Sequence, residues 1–402
     1  MNILFVTIGG FSDLNGQGIY TDLIREIIKN NHNVYIACAN QEATNQSFVD
    51  KQFGIEILRV STGKITKTNI IRKGISTLLV ESQFKKAIKK HFNSVKFDLV
   101  IYPTPPITFA NVIAFVKKRD NAKTYLLLKD IFPQNAVDIG MMSKRGIKSI
   151  IYKIFRKKEK MLYELSDYIG CMSKANVDYL LNHNPYISPE RVHVNPNSIE
   201  VYKVERTAEK RNEIREKYNI PQDATVFVYG GNLGKPQDIP FIINCLRDCI
   251  GKTDRFFVVC GTGTETLKLK AFIENEKPDN VLLLDGLPKA EYEEFLGAFD
   301  VGLIFLDHRF TIPNFPSRLL SYMQNSMPVL ACTDRNTDIG KIITDGGFGW
   351  WCESDDVEKF TETVNAVLTE DLKTLGENGF KYLMDNYTVE NSFAIIEKYI
   401  EG

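Results

Sequence analysis

The strongest constraint in this sequence is a pattern that occurs twice: a short apolar run, a glycine-rich turn, then apolar residues at helical spacing. Residues 2–8 run apolar into Gly9 and Gly10, and Gly16 and Gly18 follow in the same turn. Ile19, Leu23, Ile24, Ile27 and Ile28 then repeat with the period of a helix. Residues 33–39 (NVYIACA), 97–102 (FDLVIY) and 124–128 (TYLLL) read as further strands. The last two are apolar almost without a break, as strands covered on both faces must be. At 225–229 (TVFVY) the pattern begins again, with Gly230, Gly231 and Gly234 behind it and a helix expected from about Asp238. Residues 255–260, 281–284, 301–305 and 328–332 continue the second series. Strands alternating with helices predict an α/β fold with parallel, doubly wound sheets.

A chain of 402 residues is too long for one ordinary core. Two Rossmann-like domains are therefore expected: residues 1–198, joined by a C-terminal helix over 386–402, and residues 199–385. The polar stretch 195–222, with Pro196 and Pro221, holds the boundary. A hydrophobic content of 44% and a charged content of 25% exclude a disordered chain. No run of 18 uncharged apolar residues predicts a membrane span, and MNILFVTIGG reads as a buried first strand and not as a secretory leader. Seven scattered cysteines without C-x-x-C predict reduced thiols and a cytoplasmic setting. Cys245 and Cys249, one helical turn apart with no histidine near them, read as packing. Neither a D-x-D pair nor two histidines at ligand spacing occur, so no metal is expected at the site.

Charge is uneven. Residues 1–200 hold 28 Lys and Arg against 17 Asp and Glu, whereas the remainder holds 22 against 33. The basic half is expected to meet something anionic. Within it, residues 144–160 (KRGIKSIIYKIFRKKEK) set Ile147, Ile150, Ile151, Ile154 and Phe155 at helical spacing among cations, with Glu159 as the one acid. Such a helix suits an anionic membrane surface. Residues 84–92 (FKKAIKKHF) are similar but read as a helix packed on its sheet. Sparse aromatic interleaving argues against nucleic acid as a partner.

Open α/β sheets bind ligands beyond the carboxyl ends of their strands, where both glycine turns lie. Glycine lets backbone N–H groups approach a phosphate. Neither turn is a G-x-G-x-x-G or G-x-x-x-x-G-K-[ST] fingerprint, which disfavours dehydrogenases and P-loop enzymes. Farther on, Pro313-Asn314-Phe315-Pro316-Ser317-Arg318 forms a rigid loop. Ser317 is placed to cap the next helix, and Arg318 at its start is suited to a diphosphate.

Several segments carry a family resemblance: VYGGNLGKPQDIPFII, VVCGTG, LDGLPKAEYEEFLGAFDVGLIFL, FPSRLLSYMQNSMPVLA, LLLKDIFPQNAVDIG and HVNPNSIE. In this order they resemble family 4 of the retaining glycosyltransferases, which have the GT-B fold of two facing Rossmann-like domains. They are most similar to the bacterial branch that builds O-antigen, capsule and colanic-acid repeat units on lipid carriers, fucosaminyltransferase-like members included.

The resemblance implies a nucleotide-sugar donor, a UDP-sugar, and transfer with retention. It implies an acceptor saccharide carried on a polyprenyl diphosphate, at the inner face of the cell membrane. Gly231, Asn232 and Gly234 would hold the donor diphosphate through the backbone, with Arg318 paired to it and Lys235 helping. Gly261 and Gly263 would lie at the base, and Gly9 and Gly10 over the leaving diphosphate. Gly18, Ser317 and Ser321 complete the donor-site candidates, and Asp130 would stand on the acceptor side as a catalytic residue with Arg318. The donor is a substrate, and no further cofactor is implied.

The sequence departs from the family pattern in places. Pro313 and Ser321 stand where two donor-site glutamates are usual. Asn232 and Gln237 replace an arginine and a lysine, and Lys129 replaces a histidine. Two other readings stay open: a nucleotide-sugar epimerase on the same fold, and a sugar-nucleotide binding protein without catalysis.

Overall fold

The computed structural model describes residues 1–9, 11, 14–40, 46–62, 70–147 and 149–401. The chain divides into two compact units, Met1–Ile199 with Val389–Gly402, and Glu200–Thr388. The first unit contains β1 (Asn2–Thr7), β2 (Asn33–Asn40), β3 (Phe48–Gln52), β4 (Ile55–Ser61), β5 (Leu99–Pro103), β6 (Lys123–Leu128), β7 (Tyr168–Cys171) and β8 (Val192–Val194). They form one sheet in the order β3-β4-β2-β1-β5-β6-β7-β8. All neighbours are parallel except β3, which runs antiparallel to β4 at the edge.

Side chains alternate across a strand, so each strand feeds two cores. Leu4, Val6, Val100, Tyr102, Leu126 and Leu128 face one side, against Phe84 and Ile88 of the helix Ile70–His91 and Phe92 just after it. The basic stretch 84–92 thus packs on the sheet through its apolar stripe. Ile3, Phe5, Ile36, Ile101 and Leu127 face the other side, against Ile24 and Ile27. The closing helix Val389–Glu401 joins that second core through Phe393, Ile396 and Ile400.

The second unit contains β9 (Thr225–Gly230), β10 (Arg255–Cys260), β11 (Val281–Leu284), β12 (Val301–Phe305), β13 (Val329–Thr333) and β14 (Gly349–Glu353). Their order is β11-β10-β9-β12-β13-β14, all parallel. From β9 the chain first builds outward through β10 and β11, then returns to β12 and builds the other way. The topological switch therefore lies between β9 and β12; in the first unit it lies between β1 and β5. Ligands of open parallel sheets bind beyond the strand ends at such points. All seven cysteines are free and buried, Cys245 and Cys249 in the core of the second unit.

Candidate functional site

At the switch point of the second sheet, the turn after β9 meets the loop after β12. Gly231 has φ +124°, and a Cβ there would lie 3.4 Å from Arg318 Nη2. The left-handed backbone and the close guanidinium both call for glycine. Arg318 begins the helix Arg318–Gln324, and its guanidinium lies over the Tyr229 ring, 4.2 Å from the centroid. A cation held on an aromatic face is positioned without being neutralised. Arg318 enters no ion pair among the described residues, and its Nη1 is buried without a hydrogen-bond partner. Such a donor is costly to leave unmatched, and an anion would satisfy it.

The glycine turn itself is closed on its own polar groups. The Gly231 N–H donates to Cys260 O (2.9 Å), and the Leu233 N–H to Thr262 O (3.0 Å). The Gly234 N–H donates to Gln237 Oε1 (3.2 Å), which also accepts from Asn232 Nδ2 (2.9 Å). The N–H groups of Gly231 and Gly234, expected to face a diphosphate, are thus engaged within the turn. The N–H of Asn232 and the exposed ammonium of Lys235 remain beside Arg318's end of the sheet.

Gly261 and Gly263 have a packing reason of their own. A Cβ on Gly261 would lie 1.9 Å from Gly231 O, and one on Gly263 2.2 Å from Leu233 O. The loop after β10 therefore rests directly on the turn after β9. Tyr322, from the same helix as Arg318, supports this turn from beneath. Its hydroxyl accepts from the Gly230 N–H (3.3 Å) and sits 3.0 Å from Leu303 O.

Ser317 does not cap the helix. It has helical dihedrals, φ −65° and ψ −15°, and its side chain makes no capping bond. It is the residue just before the helix, and the missing side-chain bond corrects the capping expectation. Ser321 donates from Oγ to Glu293 Oε1 (2.8 Å), and Asn325 Nδ2 donates to Glu293 Oε2 (3.2 Å). Arg318, Ser321 and Asn325 share one helix face by their spacing. The helix Lys289–Leu296 thus brings a buried carboxylate alongside Ser321, about one turn from the guanidinium. Its neighbour Tyr292 stands over Gly230, where a Cβ would lie 1.8 Å from the phenol oxygen, and that hydroxyl is buried without a partner. Sequence reading missed Tyr229, Tyr292 and Glu293. They lie inside segments that carry the family resemblance, but only their tertiary placement singles them out.

The remaining candidates belong to the first unit. The Gly9 N–H donates to Thr7 Oγ1 (3.1 Å). Gly10 lies outside the described residues. Gly18 caps the helix Ile19–Lys29, and its N–H donates to Asp22 Oδ1 (3.0 Å).

Asp130 follows β6, and its two carboxylate oxygens accept from Asn135 Nδ2 at 2.8 and 3.0 Å. Burial pushes its pKa up to about 6. Lys129 beside it donates to Asn195 O (3.1 Å), and burial pushes its pKa down to about 7. The end of the first sheet therefore holds two groups whose charge changes near neutrality.

Among the described residues, Asp238, Asp307 and His308 bring ligand atoms within 4.8 Å of one another. Arg309 already binds Asp307, with Nε 2.8 Å from Oδ1 and Nη2 2.5 Å from Oδ2. Among the described residues, no helix is long and apolar enough to cross a membrane.

Two parallel-sheet units of this topology define a GT-B architecture. Sucrose-phosphate synthase from Thermosynechococcus elongatus has a similar structure, with TM-score 0.76, 13% identity and coverage of 100% of this chain and 98% of that one. Anabaena HepE, solved in complex with UDP, gives TM-score 0.67 at 14% identity, covering 100% of both chains. Residues 210–382, within the second unit, match the family model of glycosyl transferases group 1. In sequence, the chain is 23% identical to a probable glycosyltransferase, WbjE of Pseudomonas aeruginosa, over 83% of this chain and 80% of that protein.

Proposed function

We propose that this protein transfers a hexosyl group from a UDP-sugar to a saccharide acceptor, with retention, in the synthesis of a surface polysaccharide. The acceptor on this reading is carried on a polyprenyl diphosphate. The observation that carries the donor half is Arg318: a guanidinium seated on Tyr229 against Gly231, with Nη1 buried and unmatched. A diphosphate supplies the missing acceptors in bidentate form. Solved complexes of HepE with UDP and with UDP-glucose make a uridine nucleotide the first choice of donor.

The chemistry asks little of a protein nucleophile. The glycosyl–oxygen bond breaks as negative charge gathers on the leaving diphosphate. Arg318, the Asn232 N–H and Lys235 would stabilise that charge electrostatically. The acceptor hydroxyl attacks from the face the diphosphate leaves, which keeps the anomeric configuration. Asp130, with a pKa near 6, would orient or receive the hydroxyl proton. Glu293, held beside Ser321, would accept from the ribose hydroxyls, the place where the sequence lacks its usual glutamate.

The test is UDP release from a panel of UDP-sugars, with and without a polyprenyl-diphosphate-linked monosaccharide. One donor should give acceptor-dependent UDP and a glycosylated lipid. UDP release that no acceptor stimulates, with any donor, would remove the transferase reading.

A further inference from the structure

The helix Ser149–Leu165 is held to the first unit by its second half. Leu162 and Tyr163 are buried in the core, and Tyr163 donates to Glu159 Oε1 (2.8 Å). Arg156 pairs with Glu159, and Lys158 pairs with Glu81 at 2.7 Å. The first two turns do the opposite and turn isoleucine outward. Ile150 is 59% exposed, Ile151 48% and Ile154 47%, while Ile147, just before the helix, is 89% exposed and Met141 61%.

Positions 147, 150, 151 and 154 fall on one helical face. An apolar stripe of this kind ordinarily packs inward, and a contiguous exposed one marks an interaction surface. The cations around it are available: Lys144, Arg145, Lys153 and Lys157 are exposed and enter no ion pair among the described residues. The acid of the segment, Glu159, points inward. The face also adjoins the Asp130 loop, because Phe155 packs edge-on against Phe132 with centroids 5.1 Å apart.

We infer that this face docks on a bilayer containing anionic lipids. Isoleucines insert among the headgroups while the four cations meet lipid phosphates. Charge complementarity chooses this occupant over a second copy of the chain, whose own face would bring like charges together. The inference names a surface for meeting a lipid-linked acceptor, yet it stands apart from the transfer chemistry. Vesicle binding needs neither donor nor turnover, so its failure and the failure of the transferase reading are separate results.

The experiment is co-sedimentation of the full chain with vesicles of phosphatidylcholine alone or mixed with phosphatidylglycerol. Wild type should bind the mixed vesicles and not the neutral ones, and high salt should release it. Ile150→Glu with Ile154→Glu should weaken binding at least about tenfold. Lys153→Gln with Lys157→Gln should weaken it roughly 25-fold, at about fivefold per cation. Leu267→Glu, at a site 78% exposed in the second unit, should change nothing. These positions are exposed, so the melting temperatures should stay near wild type. Three outcomes would overturn the docking: no wild-type binding to anionic vesicles, unchanged binding by the isoleucine pair, or a wild-type dimer that the isoleucine pair disperses.

Discussion

Behind β1, Gly18 opens a helix whose first turn carries Asp22; behind β9, Gly231 leads a turn that faces Arg318. The two turns hold the same topological position in sheets built alike, but their charges differ. In the first unit, the Asp22 carboxylate takes the Gly18 N–H (3.0 Å) and the Arg25 guanidinium (2.7 Å). Here the arginine is already paired within its own helix. In the second unit the glycine N–H groups are also engaged, yet a cation from the next loop stands over the turn unmatched. A glycine turn at a strand end is thus a shape shared by both units. Anion binding depends on the side chain that a neighbouring element brings to it.

The comparison can be broken first at the glycines. Gly261→Ala forces a Cβ to 1.9 Å from Gly231 O, so the two loops of the second unit must separate. Melting should fall by roughly 5–10 °C, and nucleotide binding should be lost with the turn. Gly18→Ala meets only Thr21 Oγ1 at 3.4 Å, with an extended φ of 174°. It should cost below about 1 kcal/mol. Equal losses in the two variants, read by calorimetry, would erase the distinction between the turns.

A smaller effect is expected at Glu293. In Glu293→Gln the amide keeps one acceptor where Ser321 and Asn325 now take two. UDP should bind about tenfold more weakly, and the preference for UDP over 2′-deoxy-UDP should shrink. Unchanged titrations with both ligands would leave Glu293 as a support for Ser321 and Asn325 only.

A further test separates fixed from adjustable charge. Lys129 has a pKa near 7 in the folded state, below its ordinary value, so the unfolded chain holds more protons from about pH 7 to pH 10. Its contribution to stability therefore rises with pH across that window, by up to about 1 kcal/mol per unit. Lys129→Met should flatten that rise in denaturant melts at pH 7 and pH 9. An identical slope in the variant would mean that Lys129 titrates normally.

Much of this architecture was legible in the residues. Continuous apolar runs such as 97–102 and 255–260 gave buried parallel strands, because only covered strands tolerate them. The second glycine turn and the arginine after Pro316-Ser317 were also readable, since spacing places both at strand ends. What could not be read is which partner each polar group chooses. Nothing near Gly231 announces that its N–H reaches Cys260 O, nor does residue 293 announce its contact with Ser321. The isoleucines of 147–154, set among cations, read as a surface stripe and are exposed, but nothing in the sequence says that Leu162 and Tyr163 of the same helix anchor it in the core. Periodicity finds a face; tertiary contacts decide what it meets.

The account rests on an anion being held at the end of β9 by Arg318, and calorimetric titration of wild type and Arg318→Ala with UDP and with uridine tests it most directly. Wild type should bind UDP well and uridine weakly, and the variant should lose the difference between them. A variant that still prefers UDP to uridine by the wild-type margin would contradict it.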